Sequence, residues 1–417
     1  MSVIYIDGGW PLSGELSLQG SKNTVLPMLA ASILNRGSLR LFHCPQISDV
    51  EHMLVLLEQL GCHIRREGDC IEVNASRLNS DQVAPEYGKQ MRSSFFLLGP
   101  MLGRMKRASA PYPGGCIIGA RPIDIHLEAF QKMQVEIEED GEMLYLSTRG
   151  LKGNEICLRF PSVGATENIV MAAVLAEGTT CIRNAAREPE VTELCLLLKK
   201  MGARITGEGT DTLVIQGVER LHDAEYTVKG DRIAGGTYLA AAFATRGSLT
   251  LKTDCISHME STLRVLEAAG ARLSVGADYV TLMSAGKIKA IKGLVTETYP
   301  GFPTDMQSQM MAVLACAGGD SSIEERIFES RFRICEELKK MGARIAIQGN
   351  IARLQGVPRL FGTIVEAREL RGGAALVIAA LEAEGESCIR GIPYIERGYE
   401  NICDVLAGLG AQIRKEE

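Results

Sequence analysis

A cysteine in a glycine loop, a carboxylate at the mouth of an apolar helix and a lysine behind a Gly-Ser step are the residues best equipped for chemistry. Cys116 follows Pro111-Tyr112-Pro113-Gly114-Gly115, and Arg121 comes five residues later. Such a loop can swing, and a nearby cation lowers the pKa of a thiol and makes it more reactive. Asp305 lies in Pro300-Gly301-Phe302-Pro303-Thr304-Asp305-Met306-Gln307, where it suits either a helix cap or a general base. Gly20-Ser21-Lys22-Asn23 sets a lysine at a helix start, whose free N–H groups already favour an anion. Pro161-Ser162-Val163-Gly164-Ala165-Thr166 is a further turn into a helix, small enough for backbone amides to approach a diphosphate. No lysine follows it, so it is not a Walker motif. Arg92, Arg121, Arg331, Arg371 and Arg397 recur at matching points of the chain and suggest an anion-binding ring between two domains.

The elements that must position these residues repeat six times. Each copy runs from a small-residue helix into a Gly-Ser/Thr strand start, then through a second helix that ends in Leu/Met-Gly-Ala or a close variant. The closing glycines are Gly61, Gly202, Gly270, Gly342 and Gly410, while the second copy has Gln134 in the same register. Successive copies are 73, 68, 68, 72 and 68 residues apart. That period is too long for a solenoid and fits a small α/β unit. In the third copy, Met171-Ala172-Ala173-Val174-Leu175-Ala176 is apolar nearly all round, which predicts a buried helix. Val191, Leu194, Leu197 and Leu198 are spaced for an amphipathic helix, with Lys199-Lys200 in its last turn and Gly202 as its C-cap. Ala203-Arg204-Ile205 and Asp211–Gly217 then predict a hairpin. The expected fold is α/β: a two-domain inside-out α/β barrel of six βαβαββ-type units, with pseudo-threefold symmetry in each domain. The expected domains are residues 22–229, carrying the cysteine loop, and residues 1–21 plus 230–417. The opening strand should complete the last sheet of the second domain, and the active site should lie in the cleft between the two.

With 417 residues, 46% of them hydrophobic, the chain can bury two sizeable cores. A net charge of −6 and the absence of long basic stretches argue against nucleic acid. No run of 18 apolar residues predicts a membrane span, and the opening residues read as a strand rather than a signal peptide. Twelve cysteines stand singly with no CxxC pair or Cys/His cluster, so no metal site is expected. Scattered thiols indicate a reducing compartment, the cytoplasm.

Several stretches together resemble one family, the UDP-N-acetylglucosamine 1-carboxyvinyltransferases of peptidoglycan synthesis. They are residues 20–23, 91–94, 113–126, 162–168, 184–190, 300–312, 328–332 and 397–400, and the similarity runs from end to end. The cysteine loop and the Phe-Pro-Thr-Asp-Met-Gln run are its specific marks; the related shikimate-pathway transferase shares the fold without that loop. The resemblance implies two substrates, phosphoenolpyruvate and UDP-N-acetylglucosamine, no cofactor or metal, and an expected monomer. Lys22, Arg121 and Arg397 would hold phosphoenolpyruvate. Asn23, Arg92, Arg121, Pro122, Ile123, Asp124, Ile125, Ser162, Val163, Gly164, Asp305 and Ile327 would hold the sugar nucleotide, with Arg331, Glu369 and Arg371 beside the reacting centre. Cys116 would protonate C3 of phosphoenolpyruvate and be the target of fosfomycin, while Asp305 would take the proton of the sugar 3-hydroxyl. Lys22 and Arg397 complete the catalytic set. The chain departs from the family pattern at Glu369, Ala234, Ile334 and Tyr394, all in the second domain. Two alternatives follow: a paralogous enolpyruvyl transferase with another nucleotide acceptor, or a weakly active nucleotide-binding paralogue.

Overall fold

The structure is a computed structural model that describes residues 2–88, 92–112, 123–284 and 286–416, with Tyr87 and Arg92 by backbone alone. Cys116, Arg121 and Pro122 lie outside the described residues. Described residues 20–229 form one compact unit, and residues 2–19 with 230–416 form the other.

Inside the first unit run helices α1 (Lys22–Ala31), α2 (Leu98–Met105) and α3 (Val163–Ala173). Inside the second run α4 (Arg232–Ala244), α5 (Gln307–Ala315) and α6 (Leu370–Glu382). Small and apolar residues surround these helices: every residue of α4 after Arg232 is buried, and so is every residue of α5. A helix without a polar stripe must sit in the core. In the second unit the three helices pack on one another, α5 against both α4 and α6. Amphipathic helices such as Pro189–Lys200 and three small sheets cover each core.

The copy at 155–216 has the expected βαβαββ order. Strand Glu155–Cys157, α3, strand Thr179–Arg183, the outer helix and the hairpin Arg204–Thr206/Thr212–Gln216 follow one another. Thr179–Arg183 lies parallel to Glu155–Cys157 and antiparallel to Thr212–Gln216. The second copy departs from this pattern. Its sheet has three strands, and the parallel fourth is reduced to a bridge between Gln82 and Ser109.

Two strands sit where local reading does not put them. Ser13–Ser17 precedes α1 in the chain but lies parallel to Ser248–Lys252 in the other unit's sheet. Ala224–Thr227 precedes α4 but lies parallel to Ser38–Phe42. The chain thus passes from unit to unit at Gln19–Gly20 and at Lys229–Gly230, each time after a strand and before an inner helix. Val3–Asp7 lies between Glu386–Arg390 and Gln412–Glu416, the pairing expected of the opening strand.

All six outer helices end in the same conformation. Gly61, Gly202, Gly270, Gly342 and Gly410 have φ between +95° and +106°, and Gln134 follows at +66° without being a glycine. Among the described residues no helix is long and apolar enough to cross a membrane.

Candidate active site

Lys22, Asn23, Ser162, Val163, Gly164, Asp305, Glu369 and Arg371 lie at N-terminal ends of inner helices. This is a consequence of the repeat: each strand-to-helix turn presents free N–H groups and the positive end of the helix dipole. In the first unit Ser21 caps α1, its Oγ accepting from the Thr24 N–H at 3.3 Å. Lys22, the first residue of α1, is buried, and its Nζ lies 2.7 Å from Asp49 Oδ2. Asp49 sits in the first turn of the outer helix Ser48–Gln59, where the dipole favours a carboxylate. Asn23 follows, half-buried. Ser162 caps α3 through the Ala165 N–H, and Val163 and Gly164 form its half-buried first turn. A Cβ on Gly164 would meet Phe96 at 3.4 Å and His126 at 3.6 Å, ordinary contacts, so the protein itself does not demand glycine there. Ile123 and Asp124 lie at the start of helix Asp124–Lys132; Asp124 Oδ1 accepts from the Ile125 N–H at 2.8 Å and its Oδ2 pairs with Arg159. Arg92 begins a 3-10 turn, Arg92–Leu97, that leads into α2.

The second unit holds a denser cluster. Asp305 lies in the 3-10 turn Thr304–Met306 ahead of α5. Its Oδ1 pairs with Arg331, and Oδ2 accepts from Arg371 Nε at 3.2 Å and Nη2 at 3.1 Å. Both arginines are only 3% exposed. Burial alone would lower the pKa of the Arg371 guanidinium, but Asp305, Tyr399 and Asp231 outweigh it and the net shift is upward. Glu369, by contrast, is the cap of α6. Its carboxylate accepts from the N–H groups of Arg371 at 2.8 Å and of Gly372, and stands 3.6 Å from Arg331 Nη1. Asp231 caps α4 in the same manner, accepting from Ile233 and Ala234. Arg397 is half-buried, two residues from the fully buried Tyr399.

The structure therefore brings Asp305, Arg331, Glu369 and Arg371 into one network, and separately sets Lys22, Asn23, Ser162, Val163 and Gly164 at helix starts. Four neighbours escaped the sequence reading. Asp49 pairs with Lys22, and Tyr399 bonds Arg371 at 3.3 Å. Glu325 is buried and accepts from the N–H groups of Ile327 and Phe328 and from the Thr304 hydroxyl, so it ties the Ile327 loop to the turn of Asp305. Thr237, on α4, bonds the Tyr399 hydroxyl at 2.9 Å. Apart from the bonds of Glu325 to Ile327 and Phe328, the partners are distant in sequence, and only the Tyr399 segment stood within a flagged motif. Burial pushes the thiols of Cys44, Cys62, Cys195, Cys255 and Cys335 up to about 12, which leaves them inert at neutral pH. Among the described residues no cluster of His, Cys, Asp and Glu is arranged for a metal ion.

Known proteins resemble this chain along nearly its whole length. The family model described as EPSP synthase (3-phosphoshikimate 1-carboxyvinyltransferase) matches residues 6–406. UDP-N-acetylglucosamine 1-carboxyvinyltransferase 2 of Caldanaerobacter subterraneus subsp. tengcongensis is 46% identical over 413 residues, 99% of either chain. The UDP-N-acetylglucosamine 1-carboxyvinyltransferase of Cellvibrio japonicus is 46% identical over 417 residues, 100% of this chain and 99% of that one. Among solved structures, the enolpyruvyl transferase NikO from Streptomyces tendae superposes with a TM-score of 0.91 at 25% identity, covering 99% of this chain and 98% of its own. EPSP synthase from Acinetobacter baumannii shares the fold, with a TM-score of 0.76 at 17% identity and all of both chains covered. The chain belongs to the enolpyruvyl transferase family, and within it to the UDP-N-acetylglucosamine 1-carboxyvinyltransferases.

Proposed function

We infer that this protein transfers the enolpyruvyl group of phosphoenolpyruvate to the 3-hydroxyl of UDP-N-acetylglucosamine, releasing phosphate, as the first committed step of peptidoglycan synthesis in the cytoplasm. The observation that carries this is full-length identity of 46% to relatives so named. Cations and free N–H groups at helix starts support it, since both substrates are polyanions.

In this reading Lys22, Arg121 and Arg397 bind phosphoenolpyruvate. Asn23, Arg92, the 121–125 segment, Ser162–Gly164 and Ile327 bind the sugar nucleotide. Asp305 accepts the proton of the 3-hydroxyl while its oxygen attacks C2 of phosphoenolpyruvate. Cys116 delivers a proton to C3, giving a tetrahedral ketal. Loss of a C3 proton and of phosphate from that ketal restores the double bond as the enol ether. Both Asp305 oxygens are engaged by guanidinium groups. Accepting a proton removes the charge that holds these guanidinium groups, so the step weakens both pairs.

The test is phosphate release from phosphoenolpyruvate with UDP-N-acetylglucosamine, set against UMP and UDP-glucose. Turnover confined to UDP-N-acetylglucosamine is the expected result. Faster turnover with another nucleotide would favour the paralogue reading. Binding without release from any of them would leave a nucleotide-binding protein.

A further inference from the structure

The hydroxyl of Tyr399 is the point at which the three inner helices of the second unit meet. It lies 2.9 Å from Thr237 Oγ1 on α4, 3.5 Å from Gln309 Nε2 on α5 and 3.3 Å from Arg371 Nη1 on α6. All four residues are buried, at 3% exposure or less. Counting protons fixes the direction of the chain. Of the three polar neighbours of the Tyr399 hydroxyl only Thr237 Oγ1 can accept, and Thr237 has the Ile233 carbonyl at 2.8 Å for its own proton, so its oxygen accepts from Tyr399 and from Gln309 Nε2, the latter at 3.1 Å. The Tyr399 proton is thereby spent on Thr237, and its lone pairs are left facing Arg371, which has no acceptor capacity of its own. Arg371 turns its other edge, Nε and Nη2, to Asp305. The ring of Tyr399 packs edge-on against Tyr238 with centroids 6.4 Å apart. Its main chain belongs to the turn that bears Arg397, which is held independently by Gln19: the Gln19 amide bonds Gly398 O at 3.1 Å and the Glu400 N–H at 2.9 Å.

We propose that Tyr399 is a positioning residue: its hydroxyl fixes the far edge of Arg371, so that the near edge holds Asp305 in one orientation, and couples this pair to the turn of Arg397. The proposal rests on the enolpyruvyl transfer inferred above. It differs from a packing role because the ring contacts survive loss of the hydroxyl, and the Gln19 bonds keep the turn in place.

The experiment is Tyr399→Phe, assayed for phosphate release and, separately, for calorimetric binding of UDP-N-acetylglucosamine. Turnover per folded molecule should fall ~10-fold or more, as expected when a general base is misplaced. The dissociation constant of the sugar nucleotide should move by less than ~2-fold, since its diphosphate contacts are elsewhere. Thr237→Val, which removes the acceptor of the Tyr399 proton, should produce the same split and serves if Tyr399→Phe fails to fold. The double variant should be no slower than the slower single one, because both break one chain. Wild-type turnover in either single variant overturns the proposal, as does a fall shared equally by turnover and binding. Absence of turnover in the unaltered protein would instead overturn the reaction itself.

Discussion

Asp305 carries two buried arginines, and this governs what a substitution there reports. Asp305→Ala would leave both guanidiniums facing a gap, and removing one partner of a buried pair typically costs about 3–5 kcal/mol. Asp305→Asn keeps an oxygen for one of them and is the better probe. Its turnover should drop ~10²-fold or more while UDP-N-acetylglucosamine binding weakens by less than ~10-fold, the pattern of a general base. Abolished binding with saturating turnover intact would make Asp305 a binding residue only. Glu167 is a different kind of carboxylate. It is 0% exposed in α3, neither oxygen has a hydrogen-bond partner among the described residues, and burial, with Glu190 and Glu188 nearby, pushes its pKa well above the ordinary glutamate range. A raised folded-state pKa means that the unfolded chain ionises first, so stability is lost as pH rises from about 4.5. Glu167→Gln should match the parent near pH 4 and exceed it increasingly towards pH 8, by on the order of 1–3 kcal/mol. Urea midpoints at the two pH values check this, and a gain independent of pH would rule the explanation out.

At the scale of elements, the repeat was legible because its punctuation is steric. Gly202 is read from sequence as a left-handed C-cap, and it and the four glycines at the same register all have the positive φ that such a cap needs. The second copy tests the cause. Gln134 is held at φ +66°, a conformation that costs a residue with a Cβ roughly 1 kcal/mol or more. Gln134→Gly should stabilise the protein by about 0.5–1 kcal/mol after allowing for the extra freedom glycine has when unfolded. Gly202→Ala should do the reverse and by more, because φ is +99° and the new methyl would also meet His222 at 2.9 Å. Denaturant titration of the pair is the measurement, and equal effects of one sign would refute the cap argument. The roles of carboxylates at helix starts were less legible. Sequence allowed Asp305 to be a cap or a base and put Glu369 beside the reacting centre; it did not show that Glu369 caps α6, that Asp305 pairs with Arg331 and Arg371, or that Glu369 stands near Arg331 as well. Both positions offer a carboxylate near free N–H groups, and partners so distant in sequence cannot be read from either. The same limit hid Tyr399 and Asp49, whose chemistry depends on what tertiary packing brings to them.

At the two crossings of the chain a strand pairs with a partner distant in sequence, something no local pattern discloses. A β-branched strand of five residues looks the same whether its parallel neighbour lies in its own unit or the next. The consequence is an asymmetry between the units. Residues 20–229 are contiguous and include both the first sheet's parallel strand, Ala224–Thr227, and all three inner helices. Residues 230–416 alone lack Val3–Asp7, which forms the ladder between Glu386–Arg390 and Gln412–Glu416, and also lack Ser13–Ser17 at the edge of another sheet. Losing the former removes hydrogen bonds on both sides and the side chains of Ile4 and Ile6, each 0% exposed. Full burial of two such side chains is worth about 3–6 kcal/mol, comparable to the whole stability of a typical domain. A fragment of residues 20–229 should therefore unfold cooperatively in urea. A fragment of residues 230–417 should not, until a segment of residues 1–19 is supplied in trans or joined after residue 417 through a flexible linker. Rescue by that segment requires the strand itself, so the same linker carrying Ile4→Asp and Ile6→Asp should fail. Cooperative unfolding of residues 230–417 alone would show that the last sheet closes without its central strand, and the exchanged topology would then be a convenience of connection rather than a condition of folding.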